Sequence, residues 1–267
     1  MKVVSLNAWG GKLAAPLVAY LVAEAPDVLC LQEVVHTPSA TKDWLTYRDG
    51  AHILPQRTNL FAELVAALPE HVATFCPASQ GELWDGGVAV QSQFGIATFV
   101  RRSLPIIAQA QGFVHGSYSP HGYGAHPRPR NAHVVRVYDY ESDGAVTIAH
   151  MHGLRDVVAG KADTPERLAQ ARALTRLVQG VAAPDDPVVV CGDFNIEPGS
   201  ETFAVLAEIG LEDLVRRQGF SSTRTSHYDK PGRFADYLLV NGRIGVRAFS
   251  VVSTPEVSDH CPLVLEF

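Results

Sequence analysis

The sequence predicts an α/β fold in which helices cover the outside of two packed sheets. Three observations predict it. About eleven short apolar or β-branched runs are present, more strands than one open sheet usually carries. A few helical segments have clear start and stop signals. The 267 residues are 46% hydrophobic and 19% charged, which supplies a sizeable core and excludes global disorder.

The strand runs, in order, are Val3–Asn7, Val28–Glu33, Val72–Cys76, Gly87–Gln91, Ile96–Arg101, Ala132–Tyr138 and Val146–His152. Pro187–Asp193, Phe234–Asn241, Ile244–Ser253 and Leu263–Phe267 complete the set. Helices are expected over Leu13–Ala25, stopped by Pro26, and Asn59–Leu68, stopped by Pro69. Pro165–Gly180 is the clearest helix: Thr164 can cap it, Pro165 takes the first helical position and Gly180 closes it. A fourth helix covers Ser200–Ile209. Val35–Thr58 and Gly112–Asn131 read as long irregular loops, rich in Gly, Pro, His and Tyr. No linker divides the chain, so one domain over residues 1–267 is expected.

The formal charge is −6, from 22 Lys+Arg against 28 Asp+Glu. That balance disfavours a protein that holds long nucleic acid through broad backbone electrostatics, while leaving local basic sites open. Cys30, Cys76, Cys191 and Cys261 are scattered, without C-x-x-C spacing, and read as buried reduced thiols. The first residues form a strand and lack a signal peptide's apolar stretch; no run approaches the ~20 apolar residues of a membrane span. A cytoplasmic protein without membrane insertion or an obligate protein partner is the expectation.

Several apolar runs end abruptly in an acid, amide or imidazole: VVSLNAW at Asn7, LCLQEV at Glu33, IAHMHGL at His150 and His152, VVVCGDFN at Asp193 and Asn195, and SDHCPL at Asp259 and His260. An uncompensated charge at the end of a buried strand is expensive, so strand tips gathered on one rim would share a polar pocket. Each group also has a plainer reading: Glu33 an exposed strand end, Asp193 an Asx turn, Asp259-His260 a turn before Pro262. Asp236 lies inside an apolar strand and needs a partner, for which histidine is the natural choice.

Taken together, the set suits hydrolysis at phosphorus. A hard cation such as Mg2+ or Mn2+ favours oxygen ligands, and Glu33 and Asp259 supply carboxylates with Asn7 a neutral oxygen nearby. Asp193 is the candidate base for an attacking water. Asn195, His152 and His260 are candidate stabilisers of charge on the phosphoryl oxygens, with Asp236 behind His260. A zinc site on His150 and His152 is the alternative, though the remaining donors are oxygens.

These motifs, in this order, make the chain similar to the endonuclease/exonuclease/phosphatase family. LNAW, LQEV, AHMHGL, GDFN, ADYLLV and SDHCPL span the whole chain. The resemblance implies a four-layer α/β/β/α sandwich of two mostly antiparallel sheets with outer helices, and a divalent-metal-dependent phosphoesterase. It also implies that Glu33 is the metal ligand, with Asn7 and Asp259 beside the metal. Asp193 then orients or deprotonates water, Asn195 steadies the phosphate, Asp236 pairs with His260, and His152 lies against the phosphate. His150 stands where many members carry Asn. The stretch QSQFGIATFVRRS lacks the acid that backs the first histidine in deoxyribonuclease-type members, which leaves His152 less basic here.

Substrate choice is expected in the rim loops. Tyr123, Arg128 and Arg130 interleave aromatic and cationic groups that could stack a base or hold a phosphate, and Trp84 is a further stacking candidate. The same segment also reads as an ordinary solvated loop. A phosphodiesterase or nuclease acting on nucleic acid or a nucleotide-like substrate is narrowly favoured. A phosphatase or phospholipase-type hydrolase of a small phosphoester such as an inositol phosphate is the alternative, and a catalytically silent binding module is a weaker one.

Overall fold

The computed structural model describes residues 1–267. Its strands are β1 (Lys2–Asn7), β2 (Val28–His36), β3 (Trp44–Asp49), β4 (His52–Arg57), β5 (His71–Asp85), β6 (Val88–Arg101) and β7 (Ile106–His115). They continue as β8 (Arg130–Asp139), β9 (Gly144–His152), β10 (Val188–Asp193), β11 (Leu211–Asp213), β12 (Asp236–Asn241), β13 (Ala248–Val251) and β14 (Leu263–Glu266). The helices are α1 (Ala14–Glu24), α2 (Leu60–Ala67), α3 (Pro165–Val181), α4 (Thr202–Ala207) and α5 (Leu214–Arg217). One sheet has eight strands in the order β13-β14-β1-β2-β6-β5-β3-β4, and the other has six in the order β11-β12-β10-β9-β8-β7. Only β1/β2 and β9/β10 pair in parallel. No helix is long and apolar enough to cross a membrane.

Strand alternation explains the layering. On β1, Val4 and Leu6 belong to the cluster that holds Leu17, Leu21, Leu60 and Leu64 of α1 and α2, whereas Val3 joins the cluster between the sheets. Each of those fully buried leucines contributes about 1.5–3 kcal/mol by leaving water. Asn7 has the parity of Val3, and Gln32 that of Val28 and Cys30, so both face the second sheet. Leu174 and Val178 of α3 and Leu206 of α4 cover the second sheet. α3 begins as its sequence demands: the Thr164 side chain accepts from Arg167 N–H, with Pro165 in the first turn.

Three expectations are corrected. The first is the irregular segment Val35–Thr58, where β3 and β4 form a hairpin around Gly50. Both strands are largely exposed, so no apolar alternation announces them. The second is the β5–β6 ribbon, which is continuous where the sequence suggested separate strands Val72–Cys76, Gly87–Gln91 and Ile96–Arg101. Its outer half is polar (Gln80, Gln91, Gln93), which hides the ladder from a hydrophobic pattern. β7 and β8 likewise extend into the expected loop Gly112–Asn131, leaving residues 116–129 between them.

Asp213 caps α5 by accepting from Val215 N–H and Arg216 N–H at 2.9 and 3.2 Å. Burial nevertheless pushes its carboxyl up to about 6. An acid raised on folding adds stability below pH 3.8 and loses it as pH rises through 6. Asp213→Asn keeps one of the two capping bonds, to Val215 N–H, without the buried charge. It should therefore raise the melting temperature at pH 8, by up to about 2–3 kcal/mol of stability, and have little effect near pH 4. Calorimetry at the two pH values checks this; an equal shift at both would contradict it.

Candidate active site

The polar tips of β1, β2, β9, β10 and β12 meet on one rim with the 258–260 turn. Register sets the centre. Asp193 on β10 lies abreast of His152 on parallel β9 and of Asp236 on antiparallel β12. Gly192, just before Asp193, has φ +132°, and a Cβ there would lie 2.1 Å from Met151 O, so only glycine lets β10 approach β9 this closely. Asp193 Oδ1 accepts from Asn195 N–H at 3.0 Å, so the Asx turn does form. The other oxygen is free to face the rim: Asp193 Oδ2 accepts from Asn7 Nδ2 at 2.9 Å and lies 3.8 Å from both His152 Nε2 and His260 Nε2.

Glu33 sits on a β-bulge between Leu31 and Val34, with φ +54°. A left-handed non-glycine residue costs free energy, and the bulge turns the carboxylate out of the ladder's alternation. Its Oε1 is 3.8 Å from His152 Nε2. Asn195 is also left-handed, at φ +55°, and its Nδ2 donates to Gly153 O at 3.2 Å. Ser258 Oγ donates to Asn7 O at 2.7 Å and ties the C-terminal turn to the tip of β1. There His260 Nδ1 meets both oxygens of Asp236 at 2.8 Å, while His260 Nε2 lies 3.7 Å from Asp259 Oδ1.

The two histidines are tuned in opposite directions. Burial lowers the basicity of both, but the Asp236 carboxylate overcomes it at His260 and holds that imidazole above its ordinary value. His152 has no carboxylate hydrogen-bonded to its ring; burial first, then Arg130, His260, Arg155 and Arg224, hold it well below the ordinary value. Asp259 is pushed up by burial and by the neighbouring Glu33 and Asp193 carboxylates, partly offset by His260.

That crowding of carboxylates is what a divalent cation would relieve, and Glu33 and Asp259 offer the hard oxygen donors that Mg2+ or Mn2+ takes. Asp193, Asp236 and His260 also cluster closely enough to hold a metal, but both Asp236 oxygens are committed to His260 Nδ1. This trio is better described as an imidazole–carboxylate pair beside a third acid. Asn7 Oδ1 accepts from Trp9 N–H at 2.9 Å while its amide nitrogen serves Asp193, so this side chain orients Asp193 as well as lying beside the carboxylates.

Zinc on His150 and His152 does not fit. His150 Nδ1 meets Gln32 Nε2 at 3.3 Å and its Nε2 meets Thr98 Oγ1 at 2.8 Å, so both ring nitrogens are occupied. Thr98 Oγ1 also meets His133 Nδ1 at 2.7 Å, making a buried polar bridge between the sheets.

Among the substrate candidates, Arg130 alone reaches the rim. It is buried, donates from Nε to Gly153 O at 2.9 Å, and has no carboxylate within ion-pair distance. Burial lowers it to about 10 despite the pull of Glu33 and Asp193. Arg128 is instead held by Asp49 and by Tyr47 Oη at 2.8 Å. Tyr123 packs over Gly81, on the ribbon face that carries Ser92 and Phe94, and lines a groove of about 910 Å³ with His121 and Arg128. Trp84 stacks under Arg48 at 4.7 Å and lines the same groove as Tyr123 and Arg128.

Arg224 is the residue that sequence reasoning missed. It is buried against Asp259 and His260, and nothing in the local pattern STRTSHY distinguishes it from a loop arginine.

Residues 4–260 match the sequence model described as "Endonuclease/Exonuclease/phosphatase family". No curated protein matches the chain. Similar solved structures include a mannosyl-6-phosphatase of Bacteroides thetaiotaomicron, with TM-score 0.70 and 14% identity over 100% of this chain and 98% of that one. The catalytic domain of human Nocturnin, with bound sulfate, gives TM-score 0.67 and 19% identity over 99% and 92%. TDP2 of D. rerio, complexed with a single-stranded DNA product, gives TM-score 0.64 and 17% identity over 99% and 97%. At these identities the likeness concerns the fold.

Proposed function

The chain belongs to the endonuclease/exonuclease/phosphatase family, a family of phosphoester hydrolases, and on that premise we propose that it is an Mg2+- or Mn2+-dependent phosphodiesterase acting on nucleic acid or a nucleotide-like substrate. One observation carries the hydrolytic reading: Asp193 Oδ2 stands between Asn7, His152 and His260, with Glu33 next to His152. A bound cation, held by Glu33 and Asp259, supplies charge neutralisation of the phosphate.

The residues divide the remaining work. Asp193, with Oδ1 fixed by Asn195 N–H and Oδ2 by Asn7, orients a water at Oδ2 and takes its proton. His260, kept basic by Asp236, would donate from Nε2 to a phosphoryl oxygen that takes the place of its Arg224 contact, and Asn195 offers its remaining amide hydrogen. His152, held neutral, serves as a hydrogen-bond donor and not as an acid. Arg130 is a desolvated cation without an ion pair, and a phosphate would supply its missing partner. The groove lined by Tyr123, Trp84 and Arg128 is the proposed seat of a planar group such as a base. One catalytic domain over residues 1–267 and a reducing, cytoplasmic setting complete the proposal; all four cysteines are free and buried, which suits the latter.

A substrate panel at fixed Mg2+ tests this reading: single- and double-stranded DNA, RNA, abasic DNA, nucleotides, inositol phosphates, a sugar phosphate and sphingomyelin. Nucleic acid or nucleotides should lead the others by about tenfold or more in kcat/KM, and chelation should abolish turnover. Preference for a sugar or inositol phosphate would replace the nucleotide assignment with the phosphatase one. Failure on every member would leave only a binding role.

A further inference from the structure

We infer that Arg224 is a further catalytic residue, holding the phosphoryl group of the substrate through the Nε–Nη2 edge of its guanidinium. The inference rests on the phosphoesterase reading and adds to it a group that no motif contains.

Arg224 lies in the segment between α5 and β12, bridged to His260 across the rim, and is only 7% exposed. Its Nη1 donates to Asp259 Oδ2 at 3.2 Å and rests against His260 Nε2. The opposite edge is unused. Nε is buried and has no partner, and Nη2 makes no hydrogen bond to the protein. The Tyr228 ring lies 4.3 Å from the guanidinium carbon and fixes the plane of the fork. A desolvated guanidinium with an open edge is costly, and the ligand that satisfies two parallel N–H donors is an oxyanion with two oxygens on one centre.

Location identifies which oxyanion. The engaged nitrogen already touches His260 Nε2, and that atom is 3.8 Å from the base candidate Asp193. An anion on the unused edge would lie one guanidinium width from that atom, whereas Arg128 is held by Asp49 and Tyr47 and does not reach the rim. Asp259 and His260 from the C-terminal turn and the Asp236 and Asp193 carboxylates of β12 and β10 surround Arg224, and Lys161 lies 5.6 Å from the same Tyr228 ring. Lys161 is occupied with the carbonyls of Gly232 and Phe234, which leaves Arg224 as the available cation on this side.

The test compares wild type, Arg224→Ala, Arg224→Lys and an exposed control, Arg216→Ala, whose guanidinium stacks on Phe203. Binding of inorganic phosphate by calorimetry, with and without Mn2+, is read beside kcat and KM on the best substrate of the panel. Arg224→Ala should bind phosphate at least about tenfold more weakly and lose about 10²-fold in kcat, whatever its melting temperature. Arg224→Lys should recover part of the phosphate affinity as a point charge without the fork. A lowered melting temperature with unchanged phosphate binding and kcat would make Arg224 a structural residue and overturn the inference alone. Wild-type protein that neither hydrolyses any panel member nor binds phosphate would overturn both the inference and the phosphoesterase reading.

Discussion

Asp193→Asn should lower kcat by at least about 10³-fold while shifting the melting temperature by only a few degrees. The reasoning begins with its two oxygens. Oδ1 closes a turn with Asn195 N–H and would do so equally as an amide oxygen, so the backbone keeps its shape. Oδ2 accepts from Asn7 Nδ2, and an amide nitrogen placed there would face another donor, because Asn7 Oδ1 is already taken by Trp9 N–H. One hydrogen bond is lost, which costs stability. Removing one of several crowded carboxylates offsets that loss. What does not survive is the capacity to accept a proton. Mn2+ titration followed by electron paramagnetic resonance separates this role from metal ligation: a base variant should bind Mn2+ within about tenfold of wild type, whereas Glu33→Gln should bind it far more weakly. Full turnover by Asp193→Asn would remove the mechanism, and loss of Mn2+ binding instead would recast Asp193 as a ligand.

Much of this site was legible because its chemistry violates ordinary strand composition. Glu33, Asp193, Asp236 and His260 each interrupt or terminate an apolar run, and a buried charge without a reason is rare. The register that sets Asp193 abreast of both His152 and Asp236 follows once those tips are known to be strand ends. Arg224 was not legible for the opposite reason. It lies in an irregular stretch where an arginine is unremarkable, and only its approach to a residue thirty-six positions later gives it meaning. Trp84 shows the same limit from another side. Its meeting with Tyr123 in one groove depended on the β5–β6 ladder and on the return of residues 116–129, neither of which a local pattern records. The β3–β4 hairpin escaped notice because β4 is an exposed edge strand and β3 buries only Leu45, too little alternation to read.

Asp236→Asn and His260→Ala should each reduce kcat strongly, by about 10²-fold and at least about 10³-fold, and the double variant should be no worse than His260→Ala alone. Non-additivity is the decisive feature. Asp236 lies on β12 with both oxygens 2.8 Å from His260 Nδ1, so its contact with the chemistry runs through that ring. Asparagine retains the shape and can still accept from Nδ1–H, which preserves ring orientation. It removes the negative charge that holds the imidazole above its ordinary basicity against the cost of burial. The donor at Nε2 is then weakened but remains in position, which explains why Asp236→Asn should cost less than removing the ring. Once the ring is gone, Asp236 has nothing to act through, and its own replacement relieves a buried carboxylate left without a partner. His260→Ala should accordingly melt below wild type, and adding Asp236→Asn should restore part of that stability without restoring activity. Multiplicative losses in the double variant would mean that Asp236 reaches the substrate independently, and the pair would have to be redrawn as two separate contacts.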